Sequence, residues 1–490
     1  MKRRSFLGRS MSGFAGIAGL AAAATVPQIF SCASDKTGEP DHSGEPVESA
    51  VKQPNILIIV SDDTGYHDVG FHGSEIMTPN LDRLAREGVE LENFYAYPVC
   101  SPTRAALMTG RPPSRNGVLG PLQSWTPPPF EAGKITLAGM LKNAGYETCL
   151  SGKWHLGMRP VEIPNLFGFD RSYGYLGPWL DSYSHLTTNF HGDKSGIRQW
   201  HRDGELIDET GHVTDLVTDE AVRFIKEDRD KSKPFLLYVP YSAPHTPIQE
   251  PNKYTDMYKD SIENVSRRYF AAAMTHMDDC IGQMISALEE EGVDQDTVVI
   301  YFSDNGGARG GDYSRDGNGW LIPPAEFYMS YGPTDVLGDN TPLRGWKGTL
   351  YEGGIRVPAF INRPGHLTPQ KTDNPMYVCD LVPTLASFAG IDVPAEMATE
   401  GIDIRPALSG GPMPEERTFY WRTGGRLAVR VGDWKLIHNG KTPESGTVEL
   451  FNIAEDPTET SDLADRNPAK VDELKTELAR QFAMDSDVVY

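Results

Sequence analysis

The chain has 490 residues with 39% hydrophobic and 23% charged content, ordinary values for a folded protein large enough for one big domain and an appendage. Its net charge of −22 argues against a nucleic-acid or anionic-membrane partner. An anionic substrate would need positive charge gathered locally, against that overall field.

The first residues read as a targeting segment. Lys2-Arg3-Arg4-Ser5-Phe6-Leu7 precedes the apolar run Gly13–Val26, with no acidic residue before Asp35. Basic, apolar, then small is the order of an export signal, and Arg3-Arg4 with Phe6-Leu7 resembles a twin-arginine signal. Residues 1–31 are therefore expected to direct export to the periplasm or cell surface. The run is short and rich in Gly and Ala for a membrane span. Ile29-Phe30-Ser31-Cys32 resembles a lipoprotein cleavage box, which would make Cys32 a lipid anchor. The polar stretch 32–53 then reads as a flexible tether.

From residue 54 the chain alternates buried-looking strands with helices. Asn55–Val60 is a continuous β-branched run that ends at Ser61-Asp62-Asp63. Thr78-Pro79-Asn80 opens a helix that closes near Gly88. An apolar segment, Val89–Tyr95, leads to Cys100-Ser101-Pro102-Thr103-Arg104, where Ser101 can cap a helix, Pro102 suits its first turn and Gly110 can end it. A helix at 136–143 and a strand at 147–150 lead to Gly152-Lys153-Trp154-His155. Residues 157–213, rich in Gly and aromatics, read as long loops with at most short strands.

A helix at about 215–226 precedes the strand Phe235–Val239, which ends in Pro240-Tyr-Ser-Ala-Pro-His245. Ser266–Glu290 shows the spacing of a packed amphipathic helix. The strand Thr297–Phe302 ends in Ser303-Asp304-Asn305-Gly306-Gly307. Past a helix at about 380–390, short strands at 426–431, 434–438 and 448–451 and a helix at 470–483 suggest a small antiparallel subdomain. The expected class is α/β with a central, mostly parallel sheet. Residues 54–395 would form the catalytic domain and 396–490 the C-terminal subdomain. Of the five cysteines, Cys149, Cys280 and Cys379 sit in apolar runs and read as core, and no zinc spacing occurs.

Chemistry-bearing residues recur at strand ends: Asp62-Asp63, Lys153 and His155, His245, and Asp304-Asn305. In α/β sheets, sites form beyond the carboxyl ends of strands, so these residues are expected to meet. Three carboxylates and the Asn305 amide make an all-oxygen set for one hard cation, calcium favoured and magnesium the alternative. Arg104, Lys153 and Lys347 would supply the positive charge that an oxyanion needs, with His155 and His245 available for proton transfer. Cys100 at a helix start would sit beside unpaired amides.

These motifs resemble those of the type I sulfatases, within the alkaline-phosphatase-like superfamily. Cys100-Ser-Pro-Thr-Arg104 matches the C-x-P-x-R signature, with Leu107 and Thr109-Gly110-Arg111 completing its longer form. Gly152–His155, Ser303–Gly307 and Leu343-Arg-Gly-Trp-Lys347 match further family motifs, and Thr103 departs from the commoner Ser. The resemblance implies an alkaline-phosphatase-like sandwich in which a maturase converts Cys100 to formylglycine. Asp62, Asp63, Asp304, Asn305 and the matured residue 100 would bind calcium. Arg104 and Lys153 would orient the formylglycine, His245 and Lys347 would hold the sulfate and protonate the leaving alcohol, and His155 would deprotonate the second hydroxyl.

Asp68–Ser74, Gly152–Met158 and Phe167–Tyr175 look most like arylsulfatase B, an N-acetylgalactosamine-4-sulfatase, and similar segments occur in bacterial sulfatases of algal polysaccharides. The implied substrate is a sulfated carbohydrate. Tyr173, Tyr175, Trp179, Tyr183, His185 and Trp200 could line a sugar cleft or pack loops together; Trp179, Tyr183 and His185 are taken as the candidate substrate residues. A phosphoester or phosphonate hydrolase of the same superfamily and a catalytically silent carbohydrate-binding homologue are the alternatives. One metal set and Cys100 argue against the first, and the complete set of charged residues against the second.

Overall fold

The computed structural model describes residues 52–131, 133–187, 197–309, 337–414 and 416–488. The expected export signal, the expected lipid-anchor position Cys32 and nearly all of the expected tether lie outside them. Residues Val51–Tyr490 form one compact unit. No helix among the described residues is long and apolar enough to cross a membrane.

A ten-stranded sheet runs through this unit. Its central strands, in spatial order, are Thr297–Ser303, Asn55–Ser61, Phe235–Pro240, Glu147–Lys153 and Arg171–Tyr175, all parallel. Asn55–Ser61 is buried along its whole length, which is why it carries no polar alternation. Its side chains alternate between two cores. Ile56, Ile58 and Val60 face one, with the helices Cys100–Thr109, Leu137–Asn143 and Leu381–Phe388. Leu57 and Ile59 face the other, with Pro79–Glu87 and the 26-residue helix Val265–Glu290. This is a three-layer α/β sandwich, as expected from the alternation.

Several elements depart from the sequence reading. Arg171–Tyr175, inside the stretch read as loops, is a full member of the parallel sheet, its register with the neighbouring strand running from Cys149–Arg171 to Lys153–Tyr175. Its Ser, Gly and Tyr residues gave no aliphatic run. Ala359–Asn362, unassigned from sequence, pairs antiparallel with Thr297–Ser303. The helix expected from 215 starts at Val213, because the His212 side chain accepts the Thr214 N–H, and it continues into a wider turn at Phe224–Asp228.

The C-terminal sheet has four antiparallel strands: Thr418–Arg422, Leu427–Val431, Trp434–Asn439 and Thr447–Asn452. One face, with Tyr420, Val429, Leu436 and Leu450, packs on Leu474 and Leu478 of the final helix, Pro468–Phe482. The opposite face, with Phe419, Trp421, Ala428, Ile437 and Phe451, joins the core of the main sandwich.

Candidate active site

Four adjacent parallel strands place their carboxyl ends side by side. Asp62 and Asp63 follow Asn55–Ser61, Asp304 and Asn305 follow Thr297–Ser303, Lys153 ends Glu147–Lys153 with His155 beyond it, and His245 lies past Phe235–Pro240. Backbone bonds continue the strand pairing into the loops: Asp62 N–H donates to the Ala243 carbonyl at 3.0 Å and Asp304 N–H to the Ser61 carbonyl at 3.0 Å. At Gly152 (φ 135°) a Cβ would stand 2.1 Å from the Pro240 carbonyl oxygen, so only glycine lets the two strand ends close up here.

The helix Cys100–Thr109 enters this cluster from the side and is buried throughout. It begins at Cys100 itself, after an extended Val99, with no side-chain cap. The Ser101 hydroxyl does not cap it, contrary to the sequence reading: it donates to the His155 carbonyl at 2.9 Å and accepts the Leu122 N–H at 3.0 Å. Gly110 ends the helix in the left-handed region (φ 66°), as expected.

Asp62 is the hub. Its carboxylate accepts from Lys153 Nζ and, at 3.3 Å, from Cys100 Sγ, with Arg104 Nη2 at 3.6 Å. Burial opposes its charge, yet Lys153, His245 and Arg104 outweigh that and hold the carboxyl well below the usual range. Asp63, at φ 73°, accepts from Lys347 Nζ and from Asn305 Nδ2 at 2.8 Å, and its other oxygen lies 3.8 Å from His245 Nε2. Burial and the neighbouring Asp62 push Asp304 up to about 7, against the pull of Arg104. Burial, Asp304 and Asp62 push the Cys100 thiol up.

The two histidines are tuned differently. His155 Nε2 sits 3.1 Å from the Leu122 carbonyl and so donates there, leaving a buried Nδ1 that makes no hydrogen bond. Burial, Lys153 and Arg104 hold its pKa well below 6.5, so the ring is a neutral acceptor at neutral pH. His245 Nδ1 lies 2.5 Å from the Thr246 carbonyl, and burial with Lys347 lowers its pKa to about 4.

The donor set suits a hard cation. Ligand atoms of Asp62, Asp63, Cys100 and His245 lie within 4.8 Å of one another. Asp304 Oδ1 and Asn305 Oδ1 are buried oxygens with no hydrogen-bond partner, an arrangement that a cation satisfies and that is costly without one. The pocket thus brings together Cys100, Arg104, Lys153, His155, His245, Lys347, Asp62, Asp63, Asp304 and Asn305, from sequence positions up to 285 apart.

The aromatic cluster is different. Tyr173, Tyr175, Trp200 and His185 are buried. His185 stacks on Trp200 at 4.6 Å and its Nε2 meets the Gly211 carbonyl at 3.1 Å, while Tyr173 and Trp200 share the Glu209 carboxylate. Tyr173, Trp200 and His185 thus pack against one another. The Trp179 carbonyl accepts from Thr187 at 2.9 Å. Tyr183 is half exposed, edge-on to His212, and its neighbour Ser182 lines a small cavity with His245. Sequence reasoning missed the Leu122 carbonyl, a backbone contact with no side-chain signal.

Fold and site together define a hydrolase of the alkaline-phosphatase-like class, with a cation-walled pocket for an oxyanion ester. The chain belongs to the sulfatase family: residues 54–391 match Sulfatase, and residues 345–486 match N-sulphoglucosamine sulphohydrolase, C-terminal. It is 32% identical over 494 residues to arylsulfatase J of Mus musculus, covering 90% of this chain and 77% of that one. It is also 32% identical over 403 residues to N-acetylgalactosamine-6-sulfatase of Mus musculus, covering 79% and 72%. The crystal structure of Ps i-CgsB in complex with k-i-k-neocarrahexaose superimposes with a TM-score of 0.76 at 29% identity, covering 89% of this chain and 94% of that one. The protein is a sulfuric ester hydrolase.

Proposed function

We propose that this enzyme removes sulfate from a sulfated carbohydrate, in the manner of an N-acetylgalactosamine-4-sulfatase or an algal-glycan sulfatase, and that it does so outside the cytoplasm, in the periplasm or on the cell surface, with Cys32 as a lipid anchor. The convergence of Arg104, Lys153 and Lys347 on the carboxylates around Cys100 carries this reading: an acidic protein concentrates its buried cations where an anionic ester has to sit. Relatives with glycan substrates or ligands in their names support the carbohydrate.

In this reading a maturase converts Cys100 to formylglycine, whose hydrate supplies one hydroxyl to attack sulfur and a second whose deprotonation releases the sulfate. Asp62, Asp63, Asp304, Asn305 and residue 100 would hold one calcium ion, which when bound polarises the sulfate oxygens. Arg104 and Lys153 neutralise and orient residue 100. His245 and Lys347 face the incoming ester through Asp63; a bound anion there counters the Lys347 effect and raises the His245 pKa toward the range in which it donates a proton. His155, its Nε2 proton committed to Leu122, keeps the Nδ1 lone pair for the second hydroxyl. The test is a panel of sulfated oligosaccharides of defined linkage, read by released sulfate, using protein whose residue 100 is confirmed as matured. Release from at least one is expected, and release from none would overturn the carbohydrate reading.

A further inference from the structure

Leu122 is fastened to the pocket at both of its backbone groups: its N–H donates to Ser101 Oγ at 3.0 Å, and its carbonyl meets His155 Nε2 at 3.1 Å. The next residues close a tight turn, with Thr126 N–H on the Gln123 carbonyl at 3.0 Å and Gln123 N–H on Thr126 Oγ1 at 3.2 Å. Leu122 and Thr126 are buried, so the turn is anchored on either side of its tip. Pro127-Pro128-Pro129 stiffen the exit, and Phe130 packs edge-on against Phe167 at 5.6 Å.

At that tip stands Trp125, 78% exposed, the highest exposure among the large apolar side chains described. A rigid turn that holds an indole in water sheds the cost of exposure only when a partner covers the ring. Three residues of chain keep Trp125 within about 10 Å of Leu122, whose carbonyl meets His155 of the pocket. The surroundings choose the partner. Ser124 and Thr126 are its polar neighbours in the chain, and an exposed indole face suits a ring with an apolar C–H face and a polar edge.

We propose that Trp125 is a stacking platform for a pyranose ring of the glycan whose sulfate ester enters the Cys100 pocket. The proposal rests on the carbohydrate reading above and adds a specificity-determining residue to it. Trp125 carries no charge and its side chain is mostly in solvent, so it would act on glycan affinity and leave the chemical step alone.

Steady-state kinetics of matured wild type, Trp125→Ala and Trp125→Tyr on one cleaved sulfated oligosaccharide and on an aryl sulfate test this. Trp125→Ala is expected to raise KM for the oligosaccharide about tenfold with kcat unchanged, and Trp125→Tyr to recover most of it. Aryl sulfate kcat/KM should stay within about twofold, since an exposed tip tolerates truncation. Equal losses on both substrates, or an unchanged oligosaccharide KM, would overturn the stacking role while leaving sulfatase action on glycans standing. Aryl sulfate turnover with no sulfate released from any oligosaccharide would overturn the carbohydrate reading and this proposal together.

Discussion

Arg104 and Asp304, 200 residues apart in sequence, meet in a two-nitrogen grip: Nε at 3.1 Å and Nη2 at 2.6 Å both donate to Asp304 Oδ2, while Nη1 donates to the Lys153 carbonyl at 2.9 Å. The helix carrying Cys100 is thereby locked to two strand ends at once. The grip occupies one oxygen of Asp304 and leaves Oδ1 for the pocket. Burial disfavours the guanidinium charge, but Asp304 and Asp62 outweigh that and raise its pKa.

Arg104→Lys keeps the charge and loses the fork. A lysine has one nitrogen in place of the three that reach Asp304 and the Lys153 carbonyl, so the fork geometry is lost. Sulfate release should fall by roughly a hundredfold or more, the size expected when a preorganised charged donor is lost. A rate close to wild type would remove Arg104 from the machinery.

The proposed maturation of Cys100 has a direct readout. Mass spectrometry of the tryptic peptide ending at Arg104, from protein made alongside a maturase, should show the thiol replaced by an aldehyde or its hydrate. Cys100→Ala should abolish turnover. Full activity in protein with an intact thiol would contradict the mechanism.

Cation removal should act on stability as well as rate. Three buried carboxylates crowd this site, with Asp304 Oδ1 and Asn305 Oδ1 lacking hydrogen-bond partners, and an ion that binds only the folded chain stabilises it by mass action. Exhaustive chelation is expected to lower Tm by several degrees and stop sulfate release, and calcium should restore both. Unchanged Tm and rate after verified calcium removal would exclude the proposed ligand set.

A second charged centre, away from the pocket's own ligands, predicts a pH dependence. His276 is buried between Glu250, 2.7 Å from Nδ1, and Asp215, 2.9 Å from Nε2. Burial opposes its charge, but the two carboxylates win and raise its pKa to about 11. Because the folded value lies above the unfolded one, the imidazolium stabilises fully below about pH 6.5 and its contribution is lost as pH rises through about 11. His276→Gln should cost about 3 kcal/mol near pH 6, measured by urea unfolding, with the gap to wild type closing toward pH 11. A gap that is constant with pH would mean that the ring unfolds with its proton state unchanged.

Asp62 and Asp304 were readable because each follows an unbroken apolar run, Ile56–Val60 in one case and Val298–Phe302 in the other. A buried parallel strand announces itself this way and also points to where its loop must go. Arg171–Tyr175 was invisible because Ser172, Tyr173 and Gly174 are a loop's composition, held in the sheet by neighbours on both sides. The aromatics were ambiguous for the opposite reason. Trp200 stacked on His185 and Trp125 in open water are the same residue type in sequence, and only the packing around each separates a core ring from a free one. Glu459 left no sequence signal either. Its backbone carbonyl takes Arg344 Nη1 at 3.0 Å and its carboxylate takes the Glu352 N–H at 2.7 Å, so the C-terminal region grips both ends of the turn that holds Lys347.

Every residue from Cys100 to Thr109 is shut inside the folded chain, with Cys100 only 2% exposed. Any enzyme that alters Cys100 must therefore reach it while the polypeptide is still open. If Cys100 matures as proposed, folding acts as a deadline: a chain that closes early would keep its thiol, and the active fraction of a preparation would be decided by a race during synthesis.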